Sequence, residues 1–192
     1  MRVITKIYDA PPYSKREILR YAGASGDTGS LSELLASSLA EAKDLLSYKV
    51  CFIETDLSVD GDSVDFGFFR VRSEKLAKNL TGCRGAIIFA ATVGIGIDRL
   101  IMKYSRTVPS RALMMQAIGA ERIEALCDAF CSDISGGRRL RPRFSPGYGD
   151  LPLPVQSEIF ALLSPEKKIG LSLNTSMLMS PTKSVTAFIG VE

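Results

Sequence analysis

The stretch Arg143-Phe144-Ser145-Pro146-Gly147-Tyr148 combines a cation, a small hydroxyl, a Pro-Gly pair and an aromatic ring. Pro146 presets one backbone dihedral and Gly147 can adopt a positive φ, so the pair predicts a tight turn. Glycine also lets a ligand approach the main chain, and arginine binds a carboxylate through two parallel hydrogen bonds. The stretch therefore suits a small ligand with a carboxylate at one end and a flat ring at the other. The alternative is an ordinary surface turn.

Helix and strand patterns alternate along the chain and predict an α+β fold. Ser14 followed by Glu17 forms a capping box that predicts the start of a helix. Residues 111–131 have the apolar spacing of a long helix, and 85–92 is a continuous apolar run typical of a buried strand. We expect an antiparallel or mixed sheet with helices packed against it.

Two further patterns predict how strands are arranged near the middle and the end of the chain. Asp60-Gly61-Asp62 separates the β-rich segments 50–57 and 64–71 and predicts a hairpin between them. Segments 169–173 and 184–191 also have strand composition.

The segment Gly94-Ile95-Gly96-Ile97-Asp98-Arg99 imitates the start of a dinucleotide-binding fingerprint. Arg99 stands where the fingerprint has its third glycine, and a long helix follows instead of the next strand of a βαβ unit. A nicotinamide or flavin site is one interpretation. We favour the other, in which the glycines make a sharp strand-to-helix turn.

The composition is that of a globular protein and excludes several functional classes. We predict a single domain over 1–192, because the chain has 192 residues, 46% of them apolar and 23% charged. The net charge of +3 argues against nucleic acid or an acidic membrane surface as partner. The chain has no histidine, which excludes Ser-His and Cys-His nucleophiles. No secretory signal is apparent and no apolar run approaches the roughly 20 residues of a membrane span, so we expect a cytoplasmic protein.

The four cysteines are Cys51, Cys83, Cys127 and Cys131. Cys127 and Cys131 are four residues apart on a predicted helix and share a face, so two sulfurs could meet a metal ion. Zinc requires four ligands, and apolar residues surround these positions. We predict small buried core residues and no metal site.

The opening loop resembles the Arg-x-x-Pro-Gly-Tyr loop of the activation domain of cobalamin-dependent methionine synthase. Arg143, Pro146, Gly147 and Tyr148 carry the match. The resemblance continues in order through 158–163, which is similar to the family's next helix, and through 171–179. Pro181-Thr182-Lys183-Ser184-Val185-Thr186 is similar to the family's Pro-x-x-Ser-Val-Ser segment. The similarity is better over 112–192 than over 1–111.

This resemblance implies a twisted, mainly antiparallel sheet with packed helices in a C-shaped domain, with S-adenosylmethionine on its inner surface. Arg143 would hold the methionine carboxylate of the ligand, the main chain at Ser145 and Gly147 would hydrogen-bond it, and Pro146 and Tyr148 would complete the site. The chain would reactivate a cobalamin-dependent methionine synthase, in methionine biosynthesis, by supporting reductive methylation of oxidised cobalamin in trans. The partner chain would hold the cobalamin, and a flavodoxin-like protein would donate the electron.

The sequence also departs from the family pattern. Gly137 stands where the family has an acidic residue six positions before the loop arginine, and Glu121 and Glu124 are the nearest candidates for its helical glutamate. The family's catalytic modules are not apparent, so we expect a separate synthase chain or another corrinoid protein as partner. An alternative is a docking module for a corrinoid protein that does not bind S-adenosylmethionine. An independent methyltransferase is less consistent with the sequence, because its usual parallel-sheet nucleotide motif is not evident.

Overall fold

The computed structural model describes residues 2–24, 26 and 29–192. Its strands are Ile4–Tyr8 (β1), Tyr48–Asp56 (β2), Ser58–Asp60 (β3), Ser63–Asp65 (β4), Arg70–Arg72 (β5), Gly85–Thr92 (β6), Ser172–Leu173 (β7), Met179–Ser180 (β8) and Ser184–Val191 (β9). Its helices are Lys15–Tyr21 (α1), Gly29–Ala42 (α2), Glu74–Leu80 (α3), Gly96–Tyr104 (α4), Pro109–Ser135 (α5), Val155–Leu163 (α6) and Pro165–Ile169 (α7), with a 3₁₀ turn at Lys43–Leu45.

The main sheet has the strand order β1-β2-β6-β9, and its neighbouring strands are antiparallel. Two smaller sheets, β3-β4-β5 and β7-β8, are antiparallel as well. Within the described residues no two paired strands are parallel. The predicted mainly antiparallel α+β fold is therefore confirmed, and α4 does not connect parallel strands as in a dinucleotide-binding unit.

Both faces of the main sheet are covered along β2, β6 and β9, whereas the edge strand β1 is largely exposed. On one face, alternate residues such as Phe89 and Ile189 pack with α1, α2, α4 and α5 in a first core. On the opposite face, Ile88 and Phe188 pack with α3, α6, α7 and the β3-β4-β5 sheet in a second core. Because successive side chains of a strand point to opposite faces, a strand covered on both sides must be apolar throughout. This explains the uninterrupted apolar run of β6.

The strand-to-helix turn after β6 uses its glycines as predicted. Gly94 has φ +81°, and a Cβ atom there would lie 2.4 Å from the Ser47 Oγ. A Cβ atom on Gly96 would lie 2.1 Å from the backbone oxygen of Leu45. These close approaches explain why glycine occupies both positions, because any larger residue would overlap the neighbouring chain. A dinucleotide-binding role is not needed to explain either glycine.

The helix predictions at Ser14 and in the 111–131 region are confirmed. The Ser14 side chain accepts a hydrogen bond from the Glu17 amide and caps α1. The long helix α5 extends further than predicted at both ends. Pro109 occupies its first position, where a missing amide hydrogen costs nothing, and Gly136 ends it with φ +51°.

The predicted hairpin between 50–57 and 64–71 is wrong in its partners. The turn at Gly61 joins β3 to β4, whereas β2 pairs with β1 and β6 in the main sheet. Segment 64–71 is divided because Asp65 accepts a hydrogen bond from the Gly67 amide and forms a turn before β5.

The strand predicted over 169–173 is also wrong for most of its length. Helix α7 ends at Ile169, and Gly170 terminates it with φ +72°. Ile169 and Leu171 are apolar because they enter the second core, and only Ser172–Leu173 pairs with another strand. The strand predicted over 184–191 is confirmed. In the part of the chain that the structure describes, no helix is both long and apolar enough to cross a bilayer.

Gly96→Ala should lower the free energy of unfolding by about 1–3 kcal/mol, since the new methyl group would overlap the Leu45 carbonyl. Urea unfolding followed by circular dichroism measures this change. Gly29→Ala is the matched control, because a Cβ atom at Gly29 has open space around it. Equal stabilities for the two variants would contradict the close approach at Gly96.

Candidate functional site

The segment before the Arg143 loop is attached to the open edge of β9. Phe144 and Phe188 exchange two backbone hydrogen bonds of 2.9 Å, and Leu140 forms a second bridge with Val191. The Phe144 side chain is buried in the second core. Neighbouring side chains of an extended segment point to opposite sides, so Arg143 is directed toward α5 instead.

Arg143 meets two carboxylates of α5. Its Nη1 donates to Asp128 Oδ1 at 2.6 Å, and its Nη2 donates to Glu124 Oε2 at 2.8 Å. The arginine side chain is 25% exposed. Burial by itself would lower the pKa of Arg143, but the hydrogen bonds to Asp128 and Cys131 and the nearby Cys127 outweigh it, so the pKa is raised. The guanidinium therefore stays charged and holds two acidic side chains in the C-terminal half of α5.

The Pro-Gly pair forms the predicted turn. The Tyr148 amide donates to the Ser145 carbonyl at 3.1 Å, and Gly147 has φ +83°, as a type II turn requires. The Gly147 amide donates to the Leu151 carbonyl at 2.9 Å, and Pro146 is buried. The Tyr148 ring lies edge-on to Phe144 and is 67% exposed. The turn is thus rigid and presents a solvent-facing aromatic ring.

The far end of the loop is tied to the start of α3. Asp150 accepts hydrogen bonds from the Ser73 hydroxyl at 2.5 Å and from the Glu74 amide at 2.7 Å. The hydrogen bond from Ser73 holds the pKa of Asp150 below its ordinary value, because it favours the carboxylate form. A carboxylate at a helix start also interacts favourably with the unpaired amides there. Both ends of the loop are therefore fixed to regular structure.

A groove of about 660 Å³ lies between residues 11–21 and α5. We call it the acidic groove because its wall carries four carboxylates: Glu17, Glu121, Glu124 and Asp128. The last three are spaced three and four residues apart, which places them on one face of α5. Glu124 and Asp128 are also the partners of Arg143, so the loop is linked to the groove through them.

Glu121 does more than line the groove. Its carboxylate accepts from the Arg122 Nε at 2.6 Å and from the Ser14 amide at 2.8 Å. Arg122 in turn donates to the carbonyls of Pro11 and Pro12. Both charged side chains are buried. The pair fixes residues 10–14, which we call the N-terminal arm, against α5.

The structure divides the predicted site residues into two groups. Arg143 contacts α5, whereas the turn from Ser145 to Tyr148 lies against Phe144, Leu151 and Leu153. Of the two candidate helical glutamates, Glu124 contacts Arg143 and Glu121 does not.

Gly137 has a structural reason to be a glycine. Gly136 and Gly137 both have positive φ, at +51° and +83°, and they end α5. An acidic residue at Gly137 would be strained in this conformation. The acidic partners of the loop arginine are Glu124 and Asp128 of α5.

Three groove residues were not predicted from the sequence: Glu17, Tyr21 and Asp128. The three-and-four spacing of acidic residues at 121, 124 and 128 is a signal that could have identified the acidic face of α5. No comparable signal links Glu17 and Tyr21 to that face, because they come from a different helix.

The cysteine prediction holds for two of the four residues. Cys51 and Cys127 are buried. Burial raises the pKa of the Cys51 thiol to about 12. Cys83 and Cys131 are only half-buried, and the Cys131 Sγ lies 3.7 Å from the Arg143 Nη1.

Gly147→Val should lower the free energy of unfolding by about 1–3 kcal/mol, because a β-branched residue is strained at φ +83°. Gly147→Asn is the matched control and should cost less, since asparagine tolerates this position of a type II turn. Thermal unfolding of both variants measures the difference. An equal loss in the two variants would show that the backbone conformation is not what requires glycine.

One comparison with known proteins, that with solved structures, identifies a shared fold. No protein-family model and no curated protein matches the sequence. Among solved structures, the chain is similar to the crystal structure of the MetH reactivation domain bound to AdoHcy, with a TM-score of 0.77 and 15% sequence identity. The alignment covers 99% of this chain and 78% of that chain. The protein therefore has the fold of the MetH reactivation domain.

Proposed function

We propose that this chain binds S-adenosylmethionine and serves as a reactivation module for a cobalamin-dependent methionine synthase. The observation that carries the proposal is the link between the Arg143 loop and the acidic groove. This link occurs on a fold whose solved relative was crystallised with AdoHcy. The site would comprise Arg143, Ser145, Pro146, Gly147 and Tyr148, joined by Glu124 and Asp128.

The residues present fit the charges of the proposed ligand. S-adenosylmethionine carries an ammonium and a sulfonium, both positive, and the groove wall carries Glu17, Glu124 and Asp128 in addition to the internally paired Glu121. Its carboxylate is negative and matches Arg143, provided that the ligand replaces Glu124 or Asp128 as a partner of the guanidinium. Its adenine is flat and matches the exposed ring of Tyr148. The groove volume of about 660 Å³ lies within the range of small-molecule sites.

The chain would position the ligand, and the ligand and cobalamin would supply the methyl-transfer chemistry. The cobalamin would be held by a separate synthase chain or another corrinoid protein, with a flavodoxin-like electron donor. We propose that the protein acts in trans, in the cytoplasm and in methionine biosynthesis, without nucleic acid or membrane partners. The resemblance of the Arg143 loop to the family and the fold both support this assignment.

A second candidate function is a docking module that binds a corrinoid protein without the nucleotide. Two observations favour it. Arg143 is already paired with two carboxylates, and the Gly147 amide already donates to Leu151. Both groups would otherwise be available to the ligand. Titration with a purified cobalamin-loaded synthase, in the absence and presence of S-adenosylmethionine, separates this function from the first.

Arg143→Ala should weaken S-adenosylmethionine binding by roughly 1.5–3 kcal/mol, the size of a hydrogen bond to a charged group. Isothermal titration calorimetry measures the change. Decarboxylated S-adenosylmethionine should bind the variant and the unmodified protein equally, because it has no carboxylate for Arg143.

Arg139→Ala is the control, because Arg139 is an exposed arginine that pairs with Glu192 and not with the groove carboxylates Glu124 and Asp128. It should leave the affinity unchanged. Unaltered binding in Arg143→Ala would remove this arginine from the site. Failure of the unmodified protein to bind S-adenosylmethionine, alone or with the synthase, would favour the docking function.

The Glu124→Gln/Asp128→Asn double variant should weaken S-adenosylmethionine more than S-adenosylhomocysteine. The two ligands share an ammonium, but only the first has the sulfonium charge that a carboxylate would attract. Competitive titration of both ligands gives the ratio of their affinities. An unchanged ratio would show that these carboxylates do not face the sulfonium.

A further inference from the structure

A second cavity lies on the other side of the N-terminal arm. It has a volume of about 460 Å³ and separates the arm from α2 and the start of β2. We call it the arm pocket. Pro11 lines both this pocket and the acidic groove, so the two cavities share one wall. The size of the arm pocket is within the range of small-molecule sites.

The body of the arm pocket is apolar. Ala36 and Ala40 are one helical turn apart on α2, and their small side chains leave a hollow on that helix face. Leu39 and Leu46 add aliphatic surface, and Pro11 closes the hollow from the arm. Such a lining favours an apolar or aromatic group, because burying it removes apolar surface from water.

The charged residues that line the pocket are cationic. They are Lys43 and Arg122, of which Arg122 is paired with Glu121, and among the described residues that line the pocket there is no carboxylate. The buried Glu121–Arg122 pair lies between the cavities and presents its carboxylate to the acidic groove and its guanidinium to the arm pocket. The two cavities therefore have opposite polarity on either side of one arm.

Two phenols complete the lining. Tyr48 is 6% exposed, and burial raises the pKa of its hydroxyl although the nearby Arg122 opposes the shift. It therefore stays protonated and can donate a hydrogen bond. Tyr13 is exposed, and its ring centroid lies 5.9 Å from the Arg122 guanidinium carbon. Its ring offers an aromatic face at the pocket wall.

We propose that the arm pocket is a binding site for a small organic anion, a carboxylate attached to an apolar or aromatic body. The body lies against Ala36, Ala40 and Leu39 of α2. The carboxylate faces Lys43 and the cationic side of Arg122 and accepts a hydrogen bond from Tyr48. This site is separate from the groove proposed for S-adenosylmethionine and does not depend on that proposal.

Calorimetric titration of the full chain with 2-naphthoate tests the proposal, with neutral 2-naphthamide as the matched ligand. We expect saturable binding of one naphthoate per chain, and weaker binding of the amide. Lys43→Met should reduce naphthoate affinity about two- to fivefold, the effect of an exposed ion pair, and should leave amide affinity unchanged. Ala40→Trp should abolish binding of both ligands because the indole fills the hollow.

The controls are matched in exposure and kind of substitution. Lys167→Met on α7 and Ala161→Trp on α6 change exposed residues that do not line the pocket, and both should bind naphthoate like the unmodified protein. Circular dichroism verifies the fold of each variant. If Ala40→Trp does not fold, the exposed Lys43→Met variant decides the test. Three results would overturn the proposal. The first is that the unmodified protein binds naphthoate without saturation, the second is that it binds naphthoate and the amide with equal affinity, and the third is that Lys43→Met binds naphthoate as tightly as the unmodified protein does.

Discussion

Burial of the main sheet on both faces is the constraint on which the rest of the structure depends. All residues of β6 after Gly85 are buried, and so is the neighbouring strand β9 over most of its length. Each face needs its own cover, which α1, α2, α4 and α5 provide on one side and α3, α6 and α7 on the other. The edge of β9 is paired with residues 140–144. That pairing holds Arg143 beside α5 and the Pro-Gly turn above the second core.

Helix α5 joins the core to the proposed sites. One face is apolar and packs on the sheet, while another carries Glu121, Glu124 and Asp128. The buried Glu121–Arg122 pair holds the N-terminal arm by side-chain hydrogen bonds to its backbone. Removing two charges from water is costly. The pair is tolerated because the Glu121 carboxylate and the Arg122 guanidinium hydrogen-bond to each other and to the backbone of the arm. The same network shapes both cavities, since the arm is their common wall.

The end of α5 gives a backbone reason for the glycine at position 137. The helix ends in two glycines with positive φ, a conformation that an acidic residue would enter only with strain. Two carboxylates on preceding turns of α5, Glu124 and Asp128, contact the loop arginine. Their side chains are 45% and 72% exposed, so Arg143, at 25%, is the most buried member of this cluster. The fold is shared with the MetH reactivation domain at 15% identity.

Local chemistry in the sequence determined the parts of the structure that depend on neighbouring residues. The Ser14 cap, the Pro146-Gly147 turn, the buried strand 85–92 and the tight turn at Gly94 each follow from backbone preferences or apolar runs. The order of loop, helix and final strand likewise indicated the activation-domain fold. Tertiary structure decided the rest. Only packing shows that β2 pairs with β6 and not with β4, and only the folded chain brings Arg143 to Glu124 and Asp128. These contacts join residues distant in sequence, and local propensity carries no information about which partner a side chain will meet.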